Sequence, residues 1–171
     1  ELVAGELVEF LGLRAAAWDL IVSADTLCYF GALEGFAAAA RAALREHGGG
    51  VGDHVVAIGH RVVHGGRRFT QPVVVDDVVL ESLRVLSPLA PLHNPANVEG
   101  IVRAQEAFPG LPHVAVFDTG FHGTLPPAAY TYAVPDSWRD EHHVRRYGFH
   151  GSSYAWVTRR TAALMGRPVD D

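Results

Sequence analysis

Within HVAVFDTGFHGTLP, residues 113–126, one acid stands where chemistry could be done. Val114-Ala115-Val116-Phe117 is an apolar run that reads as a short buried strand. Asp118 ends it, followed by Thr119, Gly120, Phe121 and His122. Open α/β sheets bind ligands at the carboxyl ends of their strands. A buried strand fixes the carboxylate there, and glycine lets backbone approach a bound group. An ordinary loop or capping aspartate is the alternative.

Three other stretches bear on that choice: GHRVVHGG at 59–66, APLHNPANVEGI at 90–101 and RRYGFHGSS at 145–153. Arg61 with His60 and His64 makes a cationic cluster suited to an anion, and Gly65-Gly66 predict a tight turn with exposed backbone N–H groups. His93 precedes Asn94-Pro95, which reads as an N-cap with proline at the first helical position. His93 therefore stands at a helix N-terminus, where an anion is favoured. His150 lies between glycine-hinged turns. Each histidine has a plain alternative as a satisfied loop residue.

The residue types exclude several chemistries. There is no H-E-x-x-H spacing for zinc and no G-x-S-x-G for a serine hydrolase. All 14 Lys and Arg positions are arginine, which excludes a Walker A lysine, a protein-kinase strand lysine and a Schiff-base lysine. A cation-rich pocket with one carboxylate suits phosphoryl transfer. Arg and His neutralise phosphoryl oxygens, and Asp118 holds Mg²⁺ directly or through water. A carboxylate acceptor has no proton to remove at neutral pH. The task is then to relieve repulsion between two anions, by charge and by alignment.

The elements that must position these residues follow from periodicity and punctuation. Val55 to Ile58 reads as a strand, and Pro72 to Val75 as a second. Asp76-Asp77 open a helix to Leu86, with Val79, Leu83 and Leu86 on one face. Pro88 to Pro95 is a loop, and the helix begun at Asn94 runs to Phe108 and stops at Pro109-Gly110. Thr131 to Val134 reads as a strand and Asp136 to His143 as a short helix. Ser152 or Ser153 caps a helix through Met165, closed by Gly166, with Val157, Thr161 and Leu164 as its buried stripe.

At 171 residues and 49% hydrophobic composition, the chain can bury a sizeable core. A net charge of −5 without a basic block gives no sign of nucleic acid. The single cysteine, Cys28, permits no internal disulfide and fits a cytoplasmic setting, and no apolar run is long enough for a membrane span. The chain starts at Glu1 and ends on Asp170-Asp171 without a closing element, which reads as a fragment.

Together, GHR-x-VHGG, APLHNP-x-N, VFDT-x-FH and YG-x-HG-[ST]-S resemble the acetate kinase family, which includes propionate kinases, from about His54 onward. The resemblance implies an α/β fold of the actin-like ATPase type, here truncated, with a mixed sheet and flanking helices. It implies transfer of the ATP γ-phosphate to a short-chain carboxylate, with Mg²⁺, in a homodimeric family. By motif, Arg61 is similar to the arginine that binds substrate and the transferring group, and His93 to the histidine near the phosphate. Asp118 is similar to the essential aspartate near Mg²⁺, and His150 to the transition-state stabiliser. Val63, Leu92 and Phe149 resemble the walls of the acyl pocket. The family's N-x-G-S-S-S phosphate loop, its second domain with the nucleotide-binding loops, and most of its dimer interface have no counterpart in these residues. Tyr154 stands where the family's G-T-S-H places a histidine.

Residues 1–47 read differently. WDLIVSADTLCYFGALEGFAAAARAALR resembles the fourth strand, loop and helix of a class I S-adenosylmethionine-dependent methyltransferase, without that family's G-x-G loop. An ordinary strand–loop–helix is the alternative, and the helix at 33–47 could equally belong to the kinase-like part. Residues 48–52 are a glycine-rich joint, and 53–171 form the acyl-substrate region. A non-catalytic fragment or a chimera, and a methyltransferase, are therefore the rival readings.

Overall fold

The computed structural model describes residues 57–169 together with Ala42. The expectations for residues 1–41 and 43–56 lie outside the described residues.

Three strands form a mixed sheet in the order β1-β3-β2. They are β1 (Ile58–Val62), β2 (Val73–Val74) and β3 (His113–Phe117). β1 and β3 run parallel, with Arg61 opposite Val116 and Val62 opposite Phe117. β2 pairs antiparallel with β3. Parallel neighbours need a long crossover. Here it contains β2, α1 (Asp77–Leu86), a short 3-10 turn (Ser87–Leu89) and α2 (Asn94–Ala107).

Strand alternation divides the sheet into two faces. Val62, Ala115 and Phe117 are buried with Val79, Leu80 and Leu83 of α1, and with Val98 and Ile101 of α2, in one core. Phe69 stacks on Phe117 at 5.1 Å between ring centroids. Val114 and Val116, on the other face, are only half-buried, and Val74 beside them is exposed.

Helix α1 begins as its sequence predicts. Asp76 accepts the N–H of Val79 at 2.7 Å, satisfying an end donor and placing a negative charge at the helix's positive end. After β3 come a 3-10 turn (Phe121–Thr124) and three helices, α3 (Pro127–Tyr130), α4 (Asp136–Glu141) and α5 (Gly151–Met165). Gly166 closes α5 in the left-handed conformation, as expected. Among the described residues, no helix is long and apolar enough to cross a membrane.

Four local expectations are corrected. The first strand occupies Ile58–Val62, so His60 and Arg61 lie within it; the ladder to β3 extends to Val62, whose carbonyl accepts the Asp118 N–H at 3.0 Å. Residues 131–134 form no strand, because the Val134 N–H closes back on Tyr132 and no ladder partner lies beside them among the described residues. Helix α5 starts at Gly151 with no side-chain cap, so neither serine caps it. Its expected stripe is not buried: Val157 and Leu164 are exposed, and only Gly151 of this helix is buried among the described residues.

Candidate functional site

Arg61 and Asp118 stand at the carboxyl ends of neighbouring parallel strands, on the sheet face opposite the α1–α2 core. The guanidinium grips the carboxylate with both arms. Arg61 Nε donates to Oδ1 at 2.8 Å and Nη2 to Oδ2 at 2.7 Å. Asp118 is 1% exposed and Arg61 25%, so the pair is a buried anion held by a cation that reaches the surface. A two-point guanidinium–carboxylate pair fixes orientation as well as charge.

Arg61 Nη2 also lies 3.1 Å from His150 Nδ1. Arginine can only donate, so Nδ1 is the acceptor and neutral His150 carries its proton on Nε2. His150 is brought here by two features. The backbone N–H of Gly151 donates to the carbonyl of Asp118 at 2.9 Å, and His150 adopts a left-handed conformation, φ 55°. Residues separated by 89 positions thus meet through Arg61.

His93 occupies the N-cap position of α2, half-buried and without a side-chain capping bond. Among the described residues no hydrogen bond joins it to Arg61, Asp118 or His150. Of the expected acyl walls, Val63 is half-buried directly after β1. The ring of Phe149 meets His64 edge-on at 5.6 Å. Leu92 is 83% exposed and Phe149 42%, so these walls do not enclose a pocket among the described residues.

The expected cationic cluster is reduced to its arginine. His60 faces the other side of β1 and shares a 2.9 Å hydrogen bond with His113. Burial, reinforced by the neighbouring His113, lowers its pKa to about 4, so it is neutral at physiological pH. His64 is buried, with its Nδ1 accepting the Gly66 N–H at 2.9 Å, and burial lowers its pKa as well. The Gly65-Gly66 N–H groups are not exposed to an anion either, since they end on Thr119 Oγ1 and His64 Nδ1. Gly65 has no room for a side chain, because a Cβ would strike the carbonyl of Phe69 and the ring of Phe117.

Sequence reasoning missed the role of Asn94. It does not cap its helix; its fully buried amide accepts from the His64 N–H and donates to the His64 carbonyl, both at 3.0 Å. A capping asparagine and a clamping one share the same N-P signature, so no local signal separates them.

No group of three or more His, Cys, Asp or Glu able to hold a metal occurs among the described residues. Both oxygens of Asp118 already accept from Arg61, and the carboxylate is almost wholly buried. These residues do not fit a directly coordinated Mg²⁺.

Arginine, aspartate and histidine thus converge at the strand ends of a mixed α/β sheet. The family model described as the Acetokinase family matches residues 32–171, and the chain belongs to that family. It is 61% identical to an acetate kinase of Deinococcus radiodurans over 120 residues, which is 70% of this chain and 30% of that protein. To acetate kinase 2 of Neisseria meningitidis it is 51% identical over 128 residues, 75% of this chain and 32% of the relative. A propionate kinase structure from Francisella tularensis superposes with a TM-score of 0.75 at 41% identity, covering 80% of this chain and 35% of that one. The Porphyromonas gingivalis acetate kinase gives 0.65 at 43% identity, over 69% and 30%. The expected acetate-kinase type of α/β fold is thus borne out, as part of a domain, and the chain spans about a third of its relatives' length. The family match takes in residues 33–47, and neither it nor these relatives point to a methyltransferase.

Proposed function

We propose that this chain supplies the acyl-substrate side of a kinase that transfers the ATP γ-phosphate to acetate or propionate, in the cytoplasm. The observation that carries the reading is Arg61, gripped by buried Asp118 and in contact with His150 at the end of two parallel strands. Asp118 is the orienting anion. It holds the guanidinium in one pose, so binding an oxyanion requires no reorganisation of the cation. His150 offers its Nε2–H as a second donor for charge that develops on the phosphoryl oxygens. His93, at the N-terminus of α2, is the histidine assigned to the phosphate. Val63, Leu92 and Phe149 are the residues assigned to the acyl tail. Mg²⁺ bound with ATP would neutralise phosphate charge, while Asp118, buried and with both oxygens taken by Arg61, would act on the phosphate through Arg61.

Turnover by the chain alone should lie near background, because the nucleotide-binding loops of the family have no counterpart in its sequence. Losing one preorganised charge-stabilising donor costs about 10²–10³ in rate. The test has two arms. NMR titration with acetate and with inorganic phosphate should show saturable binding that Arg61→Ala abolishes. Hydroxylamine trapping of acyl phosphate from ATP, Mg²⁺ and acetate should show no robust turnover. Equal binding by both proteins would defeat the reading.

A further inference from the structure

The turn after β1 is held in an unusual way. Val63 N–H donates to Asn97 Oδ1 at 3.1 Å, and His64 N–H to Asn94 Oδ1 at 3.0 Å. Gly65 N–H donates to Thr119 Oγ1 at 3.1 Å, and Gly66 N–H to His64 Nδ1 at 2.9 Å. Four consecutive backbone donors therefore end on side-chain acceptors. A glycine turn with such donors often cradles an anion; here the protein's own side chains fill that role.

One of the four bonds differs from the rest. Asn94 and Asn97 anchor the turn to helix α2, and His64 closes it on itself. Thr119, one residue past Asp118, reaches it from just beyond the end of β3. The parallel ladder between the two strands ends where the Asp118 N–H meets the Val62 carbonyl. Beyond that point the chains diverge, one into the turn and the other into the 3-10 segment. The Gly65–Thr119 bond spans the gap between two buried residues just past the ladder's end, four residues after Arg61 and one after Asp118.

We propose that Thr119 is a positioning residue: its hydroxyl holds the end of β1 against the end of β3 and so keeps Arg61 aligned on Asp118 and His150. This rests on the reading that Arg61 receives the substrate anion. Alignment matters because both Arg61–Asp118 bonds are at their best lengths, 2.8 and 2.7 Å, and a guanidinium–carboxylate fork loses one bond when its ends shift apart. Replacing the hydroxyl with a methyl of the same shape would also leave the Gly65 N–H buried without an acceptor, so the turn would move to satisfy it.

The test uses the 171-residue chain with Thr119→Val, Thr119→Ser and, separately, Arg61→Ala. Two quantities are read by NMR: the affinity for acetate and inorganic phosphate, and the solvent-exchange rate of the Arg61 Nε–H relative to core amides of α2. Thr119→Val should weaken affinity and speed Nε–H exchange by about tenfold each, the effect of one lost hydrogen bond. Thr119→Ser should restore both to within about twofold. Unchanged affinity and exchange in Thr119→Val would overturn the proposal. So would a loss of global stability with the Nε–H still protected, or a serine variant that behaves like valine. If Arg61→Ala leaves anion affinity unchanged, the anion-site reading fails and the proposal falls with it. If Arg61→Ala abolishes binding while Thr119→Val is silent, only the positioning role fails.

Discussion

Gly151 donates its backbone N–H to the carbonyl of Asp118 at 2.9 Å, so helix α5 begins on the same residue whose side chain grips Arg61. A Cβ at position 151 would strike that carbonyl and approach Phe121 Cβ at 2.8 Å. Gly151→Ala should therefore push the helix start away and carry His150 off Arg61. A stability loss of about 1–3 kcal/mol, typical of overpacking, is expected from urea denaturation. Anion affinity should fall with it. A fully stable Gly151→Ala protein that binds phosphate normally would show that the contact has no structural weight.

Asp118→Ala removes the carboxylate that grips a cation itself a quarter exposed. Breaking a fully buried pair costs about 3–5 kcal/mol, and the access of Arg61 to water should reduce that to about 2–3 kcal/mol. The midpoint of chemical denaturation reports it. The double variant with Arg61→Ala should recover part of the loss, because no cation stripped of its carboxylate then remains. If the double variant is less stable than Asp118→Ala by the full cost of the arginine, the two residues are not coupled.

How much of this was legible in the sequence depends on the range of each interaction. The run at 114–117 and the spacing of Val79 and Leu83 announced β3 and α1, because their periodicity meets a core made by near neighbours. Arg61, Asp118 and His150 were legible as a set only through family motifs, since no local pattern brings together residues 57 and 89 positions apart. The Gly65 and Gly66 donors were misread as exposed: the Gly65 acceptor, Thr119, comes from 54 positions away, and the Gly66 acceptor, His64 Nδ1, is two residues back but serves only because the ring turns onto its own turn. The α5 stripe was misread for the opposite reason. Its spacing is apolar, but among the described residues no surface covers Val157 or Leu164.

The His60–His113 pair predicts an acid-sensitive stability. The His60 pKa is lowered from 6.5 to about 4, first by burial and then by His113. In the unfolded chain His60 takes up its proton near pH 6.5, whereas the native state resists until about pH 4. Between these values the unfolded state holds more protons, so stability rises with pH and is lost as pH falls through the window. Replacing His60 with Gln removes that proton uptake. The gap in urea midpoint between the parent chain and His60→Gln should narrow from about pH 7 to about pH 4.5. A gap independent of pH would mean that His60 does not resist protonation.

The exposure of the acyl walls sets a limit on discrimination between short acids. Burying one methylene fully is worth about 0.8 kcal/mol, or roughly fourfold in affinity. That value requires contact on all sides. Here Leu92 is 83% exposed and Phe149 42%, so a propionate methyl seated against Val63 would stay partly in water. The chain should therefore prefer propionate to acetate by less than about fourfold. Leu92→Ala should change the ratio little and cost under about 0.5 kcal/mol of stability, as expected for an exposed side chain. Phe149→Ala should weaken both acids, because its ring also packs edge-on against His64. Parallel NMR titrations of the parent chain and both variants give the ratios directly. A propionate preference above tenfold that Leu92→Ala abolishes would mean that Leu92 closes over the ligand when it binds.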